Sequence, residues 1–420
     1  MSTTTLAVPP VTIAPFALLL LGIAVLPLAF PHFWEKNRNK AGFGGLLSVP
    51  IALWLSMNQP ALLGHSLLEY VSFICLLGSL FVVAGGIHIA GNLAATPKTN
   101  SLLLGVGAVL ASVVGTTGAS MLLIRLVLRT NSERRNTQHI PFFFILIAAN
   151  CGGLLTPLGD PPLFLGYLRG VPFFWTLQLW PVWVGTLVYL LGLFYWVDRR
   201  AYEQEKGVDL EHDRLNAEPV RIDGKLNLGF MLLIVASVFL PAPFRELVMV
   251  LASAGSLWFG PRSARARNEF NFGPIVEVAI LFLAIFITMV PALELLREHG
   301  RHLGLVAPWH FFFASGALSS VLDNAPTYLT FLSAAQGLSL PAEVVGVPTA
   351  YLVAISCGAV LMGANTYIGN GPNFMVKSIA DAAGYRTHSF FGYAARALVV
   401  LLPVYAAIAL YLAFAADGLG

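Results

Sequence analysis

Long apolar runs, broken at intervals by short polar clusters, fill almost the whole chain. A helix needs about 20 apolar residues to cross a bilayer. By that measure, spans fall at residues 13–30, 43–58 and 67–91. Residues 100–129 are apolar on both flanks but split by Gly115-Thr116-Thr117-Gly118. Each flank is too short to cross, which predicts a re-entrant hairpin. Residues 140–168 form a long span interrupted at Asn150–Asp160, and 173–197 form an unbroken one. Residues 198–226 are rich in both charges and hold no span; they read as a linker between two halves.

After the linker the pattern returns. Spans fall at 227–240, 245–260 and 274–290, and a split segment at 307–335 carries Asp323-Asn324-Ala325-Pro326 at its tip. A broken span at 347–380 and an unbroken one at 390–414 complete the list. Residues 292–302 read as a surface helix. The match extends to residue types. At an offset of 210, Gly153, Thr156, Gly159, Pro162 and Phe164 fall on Gly363, Thr366, Gly369, Pro372 and Phe374, and Asp160 falls on Asn370. At 208, Ser112–Ala119 lies over Ser320–Thr327, and Glu69 over Glu277. The expectation is an all-α polytopic membrane protein of two repeats, 1–197 and 227–420. It would have about ten transmembrane helices, two of them broken, and two re-entrant hairpins.

Composition agrees with this. The chain is 57% hydrophobic and 11% charged, with mean hydropathy +0.76, against about 25% charged in soluble domains. The net charge of +3 is dispersed, with no basic block to suggest nucleic acid. Cys75, Cys151 and Cys357 are odd in number and far apart, which argues against disulfides and metal clusters. The first apolar segment has no basic residue before it, so it reads as retained rather than as a cleaved signal peptide. With the N-terminus outside, sixteen of the 24 Lys/Arg fall in inside loops and four in outside loops. The positive-inside rule supports that count. It makes the two repeats inverted and brings the hairpins in from opposite faces, the arrangement that alternating access uses. A multi-pass protein of the inner cell membrane is expected.

Paired interruptions in two halves of a membrane chain point to a transporter's binding site. Four polar places would converge: the tips at Thr116/Thr117 and Asp323/Asn324, and the breaks at Asn150/Thr156/Asp160 and Asn365/Thr366/Asn370. Carbonyl, hydroxyl and carboxamide oxygens suit a small dehydrated cation. Asp160 and Asp323 are the strongest candidates, because an ionisable residue at membrane depth is functional by default. Each could hold a proton or, ionised, Na+, and competition for one carboxylate gives exchange. The alternative is that each Asp only caps a broken helix. The Asn and Thr residues either line the cavity or satisfy freed backbone groups. Glu69 and Glu277 read as anchors of span ends, with a proton relay as the alternative. Lys377 and Arg125 are expected to extend their charges toward the interface, and His88 to be a buried, satisfied histidine. Nothing resembles a phosphate-binding loop, a zinc motif or a hydrolytic triad, so neither an enzyme nor a cofactor beyond transported Na+ and H+ is expected.

Asn150-x-Gly-Gly-x-x-Thr-Pro-Leu-Gly-Asp160 is similar to the helix-break motif of NhaD-type sodium/proton antiporters, and Ser320-Val-Leu-Asp-Asn-Ala-Pro-Thr327 to their Asp-Asn hairpin motif. The run Glu277–Pro291 resembles one in the related citrate transporter family. Both groups belong to the ion transporter superfamily, which also holds dicarboxylate and arsenite carriers. The resemblance implies a mobile domain of hairpins and broken helices moving against a scaffold, commonly as a homodimer. It implies ion-site roles for Asp160, Asp323 and Asn324. The Gly115-Thr116-Thr117-Gly118 tip departs from the antiporter pattern, where an Asp is expected, and moves toward the carboxylate carriers. Two functions follow: Na+ (or Li+)/H+ antiport, or Na+- or H+-coupled symport of a di- or tricarboxylate. The ligand would be a small inorganic cation or a small carboxylate. No basic residue lies within a turn of either break, and that favours the cation.

Overall fold

The computed structural model describes residues 8–341 and 343–417. The first half begins with α1 (Ile13–Ala29), the short turn α2 (Pro31–Trp34), α3 (Asn37–Asn58) and α4 (Pro60–Gly85). A strand, β1 (His88–Asn92), leads to α5 (Pro97–Thr130). Then come α6 (His139–Ile147), a 3-10 stretch at Cys151–Leu155, α7 (Pro161–Leu168) and α8 (Trp180–Glu203). The middle of the chain holds α9 (Gly207–Leu215) and β2 (Glu218–Asp223). The second half has α10 (Leu226–Ser237), α11 (Phe244–Phe259), α12 (Arg262–Arg267) and α13 (Gly273–His299). It continues with α14 (Pro308–Val321), α15 (Asn324–Gln336), α16 (Thr349–Met362), a 3-10 turn at Gly363–Asn365, α17 (Gly371–Ala382) and α18 (Phe390–Asp417). Among the described residues, seven helical segments are long and apolar enough to cross a membrane. The protein is an all-α polytopic membrane protein in architecture, apart from one small β pair. One continuous apolar core runs through both halves.

α5 is one of the seven, yet it turns back on itself. Its two ends meet: Asn100 and Asn131 exchange carboxamide hydrogen bonds of 2.9 Å in both directions. A straight helix would hold positions that far apart in sequence about 46 Å apart. The reversal falls at Gly115, whose φ of 82° and ψ of 154° are non-helical and unfavourable for any residue with a Cβ. The split segment of the second half folds back as well. Phe311 of α14 and Phe331 of α15 meet edge to face with centroids 6.3 Å apart. There the reversal uses extended backbone at Leu322 and Asp323, not a left-handed glycine.

Three expectations need correction. The span at 67–91 ends as a helix at Gly85, because His88–Asn92 forms a strand. Asn227 Nδ2 donates to Gly86 O at 2.7 Å, and Asn268 Nδ2 donates to the carbonyls of Gly85 and Ile87. These amides take up the carbonyls that a helix end leaves free. Residues 198–226 are not a bare linker. α8 continues to Glu203, and β2 pairs antiparallel with β1, with His88 opposite Asp223 and Asn92 opposite Glu218. Residues 292–302 are not a separate surface helix. Most of them extend α13, and Leu293 and Leu295 are buried.

Candidate functional site

The two helix breaks are built alike. Thr156 and Thr366 lie in extended backbone (φ −137°, ψ 159° and φ −138°, ψ 166°). Asp160 and Asn370 start the second half-helices from nearly the same conformation (φ −143°, ψ 143° and φ −152°, ψ 136°). Each loop between them closes on itself. A Cβ on Gly159 would sit 2.1 Å from Gly153 O, and one on Gly369 would sit 2.6 Å from Gly363 O. The same hydrogen bonds tie each break to its own hairpin. Thr156 Oγ1 donates to Ser112 O, as Thr366 Oγ1 does to Ser320 O. Ser112 Oγ donates to Gly152 O, as Ser320 Oγ does to Met362 O. In the first half the tip is held further by Thr116 N–H, which donates to Gly159 O at 2.8 Å.

All four elements then meet at one carboxylate. Asp160 Oδ1 accepts from Thr116 Oγ1 at 3.0 Å and from Asn370 Nδ2 at 3.1 Å. Asp160 Oδ2 accepts from Asn324 Nδ2 at 2.5 Å. Thr116 and Asn324 occupy equivalent tip positions, and Asp160 and Asn370 equivalent break positions. Asn370 Nδ2 also reaches Ala149 O and Asn150 Oδ1, both at 3.2 Å. Asp160, Thr116, Asn324 and Asn370 are each no more than 1% exposed, so the cluster is closed to solvent. Its donors are neutral, and among the described residues no Lys, Arg or His pairs with Asp160. Asn324 Oδ1 is buried beside this carboxylate and accepts no hydrogen bond.

The family model described as "Putative citrate transport" matches residues 5–414. The chain belongs to that family. It is accordingly a multi-pass membrane transport protein. No curated protein matches the chain.

Of the expected site residues, Asp160, Asn324, Asn370, Thr116 and Asn150 are brought together. Thr156 and Thr366 brace the breaks. Asn365 does the same, donating to Ser320 Oγ at 2.9 Å and accepting from Tyr405 Oη at 2.8 Å. Thr117 is half-buried and outside the network. Asp323 caps α15 by accepting from Ala325 N–H at 3.0 Å; the residue beside it, Asn324, is the one that reaches Asp160. Glu69 is buried and held by Arg169, with Nε 2.6 Å from Oε1. Glu277 takes the buried Lys40 ammonium at 2.6 Å. Neither glutamate touches the Asp160 cluster. Lys377 pairs with Asp381, Arg125 with Glu269, and His88 with Asn268.

Asn373 is a member of the network that the sequence pattern does not single out. Its Oδ1 accepts from Asn150 Nδ2 at 2.5 Å, and its Nδ2 holds the carbonyls of Gly363 and Thr366. At the repeat offset of 210 it falls on Leu163, so comparing the halves hides it. Its signal was a lone carboxamide in the first turn of an apolar half-helix.

Proposed function

We propose that this transporter exchanges Na+ (or Li+) for H+ at Asp160 by alternating access between two repeats of inverted topology. One observation carries the reading: a closed site where both hairpins and both breaks converge on a single carboxylate that has only neutral partners. Such a carboxylate needs either a proton or a cation, and a group that takes one or the other at membrane depth couples their movements. The Asn324 carboxamide serves both states. Asn324 and Asn370 turn N–H groups toward the carboxylate. Turned over, Asn324 presents an oxygen that suits a small cation, since a carboxamide is a donor at one end and an acceptor at the other; Asn370 is kept as a donor by Ala149 O. The buried, unpartnered Asn324 Oδ1 is such an acceptor already at the site.

The test is a proton-flux assay in everted membrane vesicles. Adding Na+ or Li+ should dissipate a preformed pH gradient, and Asp160→Asn should reduce this to the level of vesicles lacking the protein. Asp323→Asn separates charge from capping, because Asn caps a helix about as well as Asp. Loss of exchange would place a second ion at Asp323, and unchanged exchange would leave it a helix cap. Membership of a citrate transport family favours a second reading, Na+- or H+-coupled citrate symport. Accumulation of labelled citrate or succinate without Na+-driven proton movement would overturn the antiport reading and establish that one.

A further inference from the structure

The first arm of α5 and the face of α8 leave between them an open groove of about 780 Å³. Its walls are apolar, with Leu102, Val106 and Val109 on one side and Leu187 and Leu191 on the other. Leu102 and Val109 are more than half exposed there. At the far end the Trp183 indole N–H is taken up by Gly152 O, and the polar groups without such a partner lie at the other end. Lys98 is exposed and, among the described residues, has no ion-pair partner. The Ser101 hydroxyl has no hydrogen-bond partner, and Tyr195 completes that end.

The groove runs from Lys98 to Leu110 along α5 and from Tyr195 to Trp183 along α8. At the helical rise that is about 18 Å, a little over half of the ~30 Å hydrocarbon core, or one leaflet. The Lys98 end is also the Lys/Arg-rich end of α8. Asn100 donates to Asp198 at 2.9 Å, and Asp198 is followed by Arg199 and Arg200. A one-leaflet apolar slot with an unpaired ammonium at headgroup depth is complementary to a single lipid.

We propose that this groove holds an acyl chain of an anionic phospholipid, with its phosphate on Lys98 and the Tyr195 hydroxyl. One basic residue at a membrane surface favours an anionic over a neutral headgroup by about fivefold.

Native mass spectrometry of the full-length protein, released from neutral detergent after mixing with dioleoyl phosphatidylglycerol and dioleoyl phosphatidylcholine, tests this. The wild type should retain one phosphatidylglycerol at about fivefold preference. Lys98→Gln should bring that preference to about unity while a lipid is still retained. Val106→Trp, which fills the slot, should lose the bound lipid of either kind. Val109→Trp serves the same purpose if the first variant is not recovered folded. Full retention in the filled variants, or an unchanged preference in Lys98→Gln, would overturn the proposal. So would a change of oligomeric mass on filling without loss of lipid, because the groove would then be a contact between two copies of the chain.

Discussion

Gly115 and Gly159 lack a Cβ for different reasons. At Gly115 the constraint is first of all conformational: φ is 82°, and a Cβ would meet Leu158 O at 3.2 Å, tight but not a hard overlap. At Gly159 it is steric: a Cβ would meet the Gly153 carbonyl oxygen at 2.1 Å, backbone against backbone. Gly115→Ala should therefore cost about 1–3 kcal/mol, the range for a strained backbone position. Gly159→Ala should cost more, because the loop that presents Asp160 cannot close. Thermal unfolding of the detergent-purified variants would read this, and equal melting temperatures would contradict it. Asp160, Asn324, Asn370 and Thr116 were legible in the sequence because each is polar in a run where lipid tolerates little polarity. Asn373 was not, because its repeat equivalent is Leu163 and it lies just past the break, inside the half-helix.

The base of the first hairpin is an element held shut by buried charge. Asp198 of α8 forms an ion pair with Arg134 at 2.7 Å and hydrogen bonds with His139 Nε2 at 2.8 Å and Asn100 Nδ2 at 2.9 Å. Both members of the Arg134–Asp198 pair are almost wholly buried. Removing one partner of a buried pair typically costs about 3–5 kcal/mol when the other is left charged and unpaired; Arg134 keeps a second buried carboxylate, Glu205 Oε1 at 3.8 Å, which softens that loss. Asp198→Ala should therefore lower the unfolding temperature, and the double variant Asp198→Ala/Arg134→Met should recover part of the loss, the remainder being the cation that Glu205 also loses. If the double variant is no more stable than the single one, the pair is not what closes the hairpin. The hairpin itself could be expected from the sequence, since Gly115-Thr116-Thr117-Gly118 splits two short apolar flanks. The docking of 198–226 could not. Its β2 strand pairs with His88–Asn92, a stretch that reads by hydropathy as the end of a span.

At the scale of the molecule, the distribution of Lys and Arg sets a testable sidedness. A cysteine in place of Lys206 should react with a membrane-impermeant thiol reagent in everted vesicles but not in intact cells. A cysteine in place of Gly304 should behave in the opposite way, and both reacting from one side would rule out inverted repeats. Both variants are made in a Cys75→Ser background, because Cys75 is part-exposed whereas Cys151 and Cys357 are buried.

The amino-acid sequence by itself determined the membrane class, the apolar segments and the places where they break. A bilayer leaves no partner for free backbone groups, so an interruption at membrane depth is visible in the polar residues and glycines it requires. Only the tertiary structure decided which polar residues share a site. Along the chain the two aspartates were both candidates for an ion, one in the break of the first half and one in the tip of the second. The fold gives one of them, Asp160, three donors that lie 44, 164 and 210 positions away, and turns the other to cap its own helix. Helix periodicity carries no information at such separations; they are set by how the hairpins and half-helices pack against one another.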